Sequence, residues 1–460
     1  MSRIAITNVT IFDGSGADPY PGEVLVDGNR IVSLARQGEY LDTGDARIID
    51  GHGAFLMPGM TEAHTHFSWN DQPSLSAIQF MPPEEHILWC VRVAKRYLEM
   101  GWTSALGAAT AKPRLDVVTR NVIEAGAFPG PRYLAGSQEI TTAGGLGDNT
   151  LPHLPYEAMN FGAVCSGPED MRRIVRMFVK YGVDHLKINL SGEYIAGIPA
   201  EANPFSQEEI AMLAAEARLA GKRVAAHARS NESVKTCVQQ GFELIFHASF
   251  ADEEALDMLE ANKDKHFVAP GIGWLVNTLY NASEYGVTEA IATKMGYKRE
   301  LEAAAETLAK MHKRGIRILP GGDYGFAWMP HGTNARDLEY FVKYIGMTPK
   351  EALLAATRLG GELMMRPDEL GQLKEGFLAD LIMVDGDPLQ NLAVLQDPAK
   401  ILMVMKDGEI YKNSRTLLPP RGVIRSVYGG NPLVEVGARR AQPVDPMNSK
   451  QIEAQGRNTA

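Results

Sequence analysis

Cysteine is scarce: only Cys90, Cys165 and Cys237 occur in 460 residues, with no short metal-type spacing between them. No disulfide framework or cysteine zinc knuckle is implied, which fits a reducing compartment. Positive charge is short as well. Lys and Arg total 46 against 56 Asp and Glu, a formal net charge of -10. That excludes the basic surface that nucleic acid or an anionic membrane demands. No apolar run is long enough to cross a bilayer. The opening MSRIAITNVTIFDG alternates apolar and polar residues and lacks the continuous apolar core of a secretory leader. No glycine-rich phosphate fingerprint follows a first strand, which counts against a dinucleotide-binding open sheet. Hydrophobic content of 45% and charged content of 22% are those of an ordinary globular protein. The expectation is a cytoplasmic chain with a small-molecule partner, no nucleic acid and no membrane.

What is present alternates. Residues 1–57 hold short β-branched strands with a hairpin signal at Asp27-Gly28-Asn29. A similar pattern returns over 380–411, so the two ends are expected to pair in one small β-sandwich domain, 1–57 plus 366–415. Between them, strand-like segments at 55–63, 103–107, 132–136, 185–190, 224–228, 243–248, 267–271 and 316–321 alternate with helical patterns such as 84–100, 168–181, 206–220, 231–240 and 300–313. Eight such units predict an α/β (β/α)8 TIM barrel over 58–365, with its working groups at the C-terminal strand ends. Two connections, 137–166 and 272–293, read as long loops. The polar tail 416–460 reads as an extended or oligomerisation arm.

Those strand ends carry a pattern. The first delivers His64 and His66, which share a face on an extended backbone. The fourth carries Lys187 in an apolar stretch, the fifth ends at His227, the sixth at His247, and the eighth at Asp323 after two glycines. Each has a plain structural explanation as a core histidine, a snorkelling lysine or a turn aspartate. Together they converge on one barrel mouth with the ligand chemistry of a divalent-metal site. A buried ammonium beside two cations would be repelled, but a neutral Lys187 amine can take up carbon dioxide as a carbamate, an anionic ligand able to bridge both ions. Asn189 shares its face and is expected to line the mouth.

With these segments in view, the chain resembles the amidohydrolase superfamily of metal-dependent barrel hydrolases over about residues 1–415. The resemblance rests on Pro58-Gly59-Met60-Thr61-Glu62-Ala63-His64-Thr65-His66, on His227-Ala228-Arg229-Ser230, on Gly241 to His247, and on Gly346-Met347-Thr348-Pro349, Ala355-Ala356-Thr357 and Leu370-Gly371 to Asp380-Leu381. It implies that His64, His66 and Asp323 hold one ion, His227 and His247 a second, and carboxylated Lys187 both. Zinc is the default, with manganese, iron or cobalt as alternatives. The flavour is that of the branch with molinate hydrolase, phenylurea hydrolase, ochratoxinase and Xaa-Pro dipeptidases. Dipeptidase-like members carry Gly-Gly-His-Gly after the third strand. Here the segment is Gly144-Gly145-Leu146-Gly147, which tilts the expectation toward neutral thiocarbamates or ureas.

The mechanism expected is hydrolysis of a small amide, carbamate, thiocarbamate or phenylurea C–N bond by a metal-bridging hydroxide, with Asp323 shuttling the proton. Tyr194 or Arg229 is the candidate oxyanion stabiliser, and Arg229 is the alternative partner for a substrate carboxylate. Trp69, Leu146, Trp274, Tyr324, Trp328 and His331, with Asn189, are the candidate substrate contacts. The alternatives are a dipeptidase or N-acyl amino acid amidase, and a cyclic amidase or deaminase. A non-catalytic assembly protein is disfavoured because every ligand position is filled. Homo-oligomerisation is expected.

Overall fold

The two ends of the described chain build one sheet and its middle builds a parallel one. The computed structural model describes residues 3–153 and 160–413; the arm expected at 416–460 lies outside them. Five strands come from the N-terminal side: β1 (Ile4–Ile11), β2 (Tyr20–Asp27), β3 (Arg30–Arg36), β4 (Arg47–Asp50) and β5 (Phe55–Pro58). The middle contributes β6 (Met60–Thr65), β7 (Trp102–Gly107), β8 (Arg132–Leu134), β9 (Gly136–Thr142), β10 (Ala163–Cys165), β11 (His185–Asn189), β12 (Arg223–Ala228), β13 (Leu244–His247) and β14 (Phe267–Ala269). The last three are β15 (Leu381–Val384), β16 (Ile401–Lys406) and β17 (Glu409–Asn413).

The terminal strands run β17-β16-β15-β5-β1-β2-β3, with β4 added on β1. The chain ends thus interleave through the antiparallel β5–β15 pair. Val24, Val26, Met403 and Met405 belong to one hydrophobic cluster that runs across this sheet.

The middle strands form a six-stranded parallel sheet, β10-β9-β11-β12-β13-β14, and a three-stranded one, β6-β7-β8. Helices Pro83–Glu99, Leu115–Glu124, Pro168–Tyr181, Gln207–Leu219, Asn231–Gln240, Glu253–Ala261 and Tyr297–Lys313 connect them. The capping box expected at Ser206 and Glu209 is present. Residues 316–321, expected as the eighth strand, make no ladder but only an isolated bridge from Ile318 to Val268; they nevertheless link the six-stranded and three-stranded sheets. The Leu319 amide donates to Val268 O at 2.9 Å, and the Ala63 amide donates to Pro320 O at 2.9 Å. Among the described residues no helix is long and apolar enough to cross a membrane.

Further expectations change. Residues 55–63 are two strands, not one, and the strand expected at 132–136 is divided between β8 and β9. Pro58 has no amide to continue a ladder, and a side chain at Gly59 would sit 2.1 Å from Thr103 Oγ1. The chain therefore leaves the terminal sheet at Pro58 and enters the parallel one at Met60. The loop read over 272–293 is largely helical, as Ile272–Tyr280 and Glu289–Met295. The first of these is buried on almost every side, so it carries no polar stripe to reveal a helical period. Within the loop read over 137–166, residues 137–142 belong to β9 and 163–165 form β10. Residues 154–159 lie outside the description.

Arg132 on β8 clamps the two sheets together. It reaches Asp380 at 2.6 Å and Asp407 at 2.5 Å, and Asp380 Oδ1 accepts from the Asp407 amide at 2.8 Å. Removing the cation strands a buried carboxylate, so Arg132→Ala should lower unfolding stability by about 3 kcal/mol. Denaturant titration measures this, and an unchanged midpoint would contradict it.

Candidate metal centre and cavity

β6 brings His64 and His66 to one end of the parallel strands with ring centroids 5.2 Å apart. His66 Nδ1 lies 3.0 Å from the Ala109 carbonyl. A carbonyl only accepts, so that nitrogen carries the proton and Nε2 keeps its lone pair. Nε2 lies 3.1 Å from Asp323 Oδ1, and His64 Nε2 lies 3.6 Å from the same oxygen. His247 Nε2 is 3.9 Å from Asp323 Oδ2. On the next strand, His227 Nε2 donates to Gly192 O at 3.0 Å, which leaves Nδ1 as its lone-pair nitrogen. The His227 and His247 rings are 4.4 Å apart. Lys187 stands opposite Ala225 and Glu139 in the ladder, with Nζ 4.3 Å from the centre of the Phe246 ring. All six side chains expected as ligands therefore meet in one place.

The backbone is bent to achieve this. His247, Ala248 and Asp323 have φ of 76°, 57° and 65°, left-handed values that concentrate at functional sites. Two glycines make room. A Cβ on Gly271 would lie 2.6 Å from His247 Nδ1, and one on Gly321 would lie 2.8 Å from the His64 Cβ.

Burial holds His64, His227 and His247 well below the usual imidazole range, and the Lys187 charge pushes each further. Burial thus favours the neutral ring, the form that ligates metals. Burial alone would raise the Asp323 carboxyl, but His64, His66 and Lys187 hold it well below its usual range. Burial pushes the Lys187 amine down to about 8. His64, His247 and Asp323 each offer a ligand atom within 4.8 Å of the others. Both nitrogens of His247, His64 Nδ1 and Asp323 Oδ1 are buried without a hydrogen-bond partner. Such atoms are costly unless something satisfies them, and this N/O donor set fits a divalent cation.

Five of the six, His64, His66, Lys187, His227 and Asp323, line one small cavity, and His247 packs beside His64 and His227. Trp69 lies flat on His66, with centroids 3.4 Å apart and planes at 2°. Trp69, Leu146 and Trp274 line the cavity as expected.

The other candidates do not reach it. Asn189 is turned inward, its amide donating to Glu139 Oε2 at 3.0 Å and Leu146 O at 2.9 Å. Tyr324 gives its hydroxyl to Asp337 at 3.0 Å, and Trp328 its indole N–H to Thr278 at 3.1 Å. His331 sits beneath Trp69, its Nε2 donating to the Trp69 carbonyl at 2.8 Å. Tyr194 packs against Tyr297 at 5.3 Å, away from the lining. Arg229 is wholly buried and ion-paired to both Glu193 and Glu300. It is no free oxyanion donor, nor free for a substrate carboxylate. The sequence reading missed Glu139, Glu193, Leu75, Phe161 and Ile195, which line the cavity. The available signal was a glutamate inside an otherwise uncharged strand, had 137–142 been read as an extension of the third strand.

Residues 55–411 match the amidohydrolase family. The ochratoxinase of Aspergillus niger is 28% identical over 393 residues, covering 78% of this chain and 75% of that protein. A Xaa-Pro dipeptidase solved with methionine bound in its active site is 26% identical, with a TM-score of 0.77, over 90% of this chain and 100% of that one. Molinate hydrolase is similar in fold, with a TM-score of 0.73 at 20% identity over 89% of this chain and 94% of that one. These fold neighbours imply a TIM barrel with an added β domain.

The Gly271 contact yields a prediction. Gly271→Ala should displace the His247 ring and weaken divalent-metal affinity by about 10- to 100-fold, with the circular dichroism spectrum retained. Metal titration followed by calorimetry checks it, and wild-type affinity would contradict it.

Proposed function

Because the chain belongs to the amidohydrolase family, whose members here include C–N hydrolases, we propose that it is a metal-dependent hydrolase of a small amide, carbamate, thiocarbamate or phenylurea. The observation that carries this reading is the convergence of His64, His66, His227, His247, Lys187 and the ionised Asp323 at a cavity walled by Trp69, Phe161, Trp274 and Phe326. In this reading residues 58–365 close as a (β/α)8 barrel, and 1–57 with 366–415 cap it.

His64, His66 and Asp323 would hold one ion, and His227 with His247 a second, zinc by default. Two such ions, when bound, supply an ionised nucleophile at neutral pH and polarise the scissile carbonyl. The chain's own residues do the rest. Lys187 Nζ takes no hydrogen bond among the described residues and faces the Phe246 ring. As the free amine it forms an N–C bond to carbon dioxide and releases a proton, giving the carbamate that would serve both ions. Asp323, ionised at rest, accepts the proton of the attacking water and returns it to the leaving nitrogen. Trp69 and Trp274 seat a flat apolar group and exclude water around the reacting bond. A dipeptidase, the reading suggested by the Xaa-Pro neighbour, needs a cation for the substrate carboxylate, and Arg229 is already neutralised by two glutamates.

Hydrolysis should be screened against phenylureas, thiocarbamates, N-acyl amino acids and Xaa-Pro dipeptides. Activity should vanish on chelation and return with zinc and bicarbonate. Asp323→Asn should cut kcat by about 10²- to 10⁴-fold while keeping much of its metal. Full turnover after exhaustive chelation, or in Asp323→Asn, would contradict the reading.

A further inference from the structure

Resting on that hydrolase reading, we infer that the substrate carries a free amine, held as an ammonium against Glu139, and no carboxylate. Outside the six proposed ligands, the charged side chains lining the cavity are Glu139 and Glu193. Glu193 is spoken for. Its Oε2 accepts from Arg229, and its Oε1 accepts from the Tyr297 hydroxyl at 2.7 Å and the Tyr194 amide at 2.9 Å. Glu139 differs. It is 4% exposed, and its Oε2 accepts from Asn189 Nδ2 at 3.0 Å. Among the described residues no hydrogen bond reaches Oε1. The Asn189 amide also donates to Leu146 O, so one side chain fixes both the glutamate and the loop that carries Leu146. Gly147 packs tightly on the same carboxylate, since a Cβ there would lie 2.6 Å from Glu139 Oε2.

Lys187 stands opposite Glu139 in the ladder, but among the described residues no ion pair closes between them. Carried as a carbamate, Lys187 offers Glu139 no positive charge at all. A buried carboxylate with an uncommitted oxygen is best satisfied by a charged donor. A substrate carboxylate placed beside Glu139 meets like charge, and among the described lining residues no arginine or uncommitted lysine to pair with. The aromatic walls take the rest of the molecule. The class that fits is an aromatic or apolar aminoacyl amide or anilide with its amine unblocked.

The test is a matched trio: phenylalanine para-nitroanilide, its N-acetyl derivative, and phenylalanyl-para-aminobenzoate. Each is assayed by kcat/KM on the zinc-loaded wild-type protein and on Glu139→Gln, with metal content measured in both. Calorimetric affinities for phenethylamine and phenylethanol give a readout that needs no turnover. The free amine should be favoured about tenfold or more over each partner compound. Glu139→Gln should bring those ratios toward one at wild-type metal content. Equal affinity for the amine and the alcohol, a preference that survives in Glu139→Gln, or loss of metal in that variant would overturn the inference. Turnover of the N-acetyl compound without preference sinks this inference alone. Failure of the metal-replete protein on every C–N substrate sinks the hydrolase reading instead.

Discussion

The Asp323 carboxylate, buried 3.1 Å from His66 and 3.6 Å from His64, is the interaction on which the rest of the molecule turns. Taking a charge out of water costs several kcal/mol even after relaxation, and burial also disfavours the cationic form of His64, His227 and His247. With Lys187 also buried, the cluster leaves a carboxylate oxygen and several ring nitrogens unsatisfied. A divalent cation would offset that cost in one step. The fold therefore gathers unfavourable electrostatics at the strand ends, which a bound metal would relieve.

Holding that cluster imposes the local backbone. Left-handed φ at His247, Ala248 and Asp323 aims the side chains inward at the end of regular strands. Gly271 and Gly321 provide the space the rings need. A second layer keeps this geometry rigid. Asp337 receives the Gly321 amide at 3.2 Å and the Tyr324 hydroxyl at 3.0 Å, while His331 and Trp89 both donate to the Trp69 carbonyl, so that Trp69 lies flat on His66. Arg229 belongs to this layer too. With Glu193 and Glu300 it forms a buried ionic knot that shapes the wall beside the ligands, and Ser249 adds a hydrogen bond to Glu300 at 2.7 Å.

Much of this was legible in the residues. His-x-His on an apolar strand, histidines closing two more strands, and Asp after Gly-Gly are local patterns, and alternation along a strand decides where such side chains point. What escaped depended on relations between distant segments. Glu139 gains its meaning from cross-strand register with Lys187 and from Asn189, fifty residues away. Arg229 looked available because its two carboxylate partners lie 36 and 71 positions off. Tyr324, Trp328 and His331 sit in a loop rich in aromatic groups, and composition does not reveal which of them turn toward a cavity. Trp274 was identified as a contact, yet the helix that carries it looked like loop because it is apolar throughout.

The most direct measurement is anomalous diffraction from crystals of the metal-replete protein. Two peaks should appear, one among His64, His66 and Asp323 and the other beside His227 and His247, with density for a carbamate on Lys187 between them. A cluster without any peak, in protein that still hydrolyses its substrate, would contradict the metal centre on which the whole reading depends.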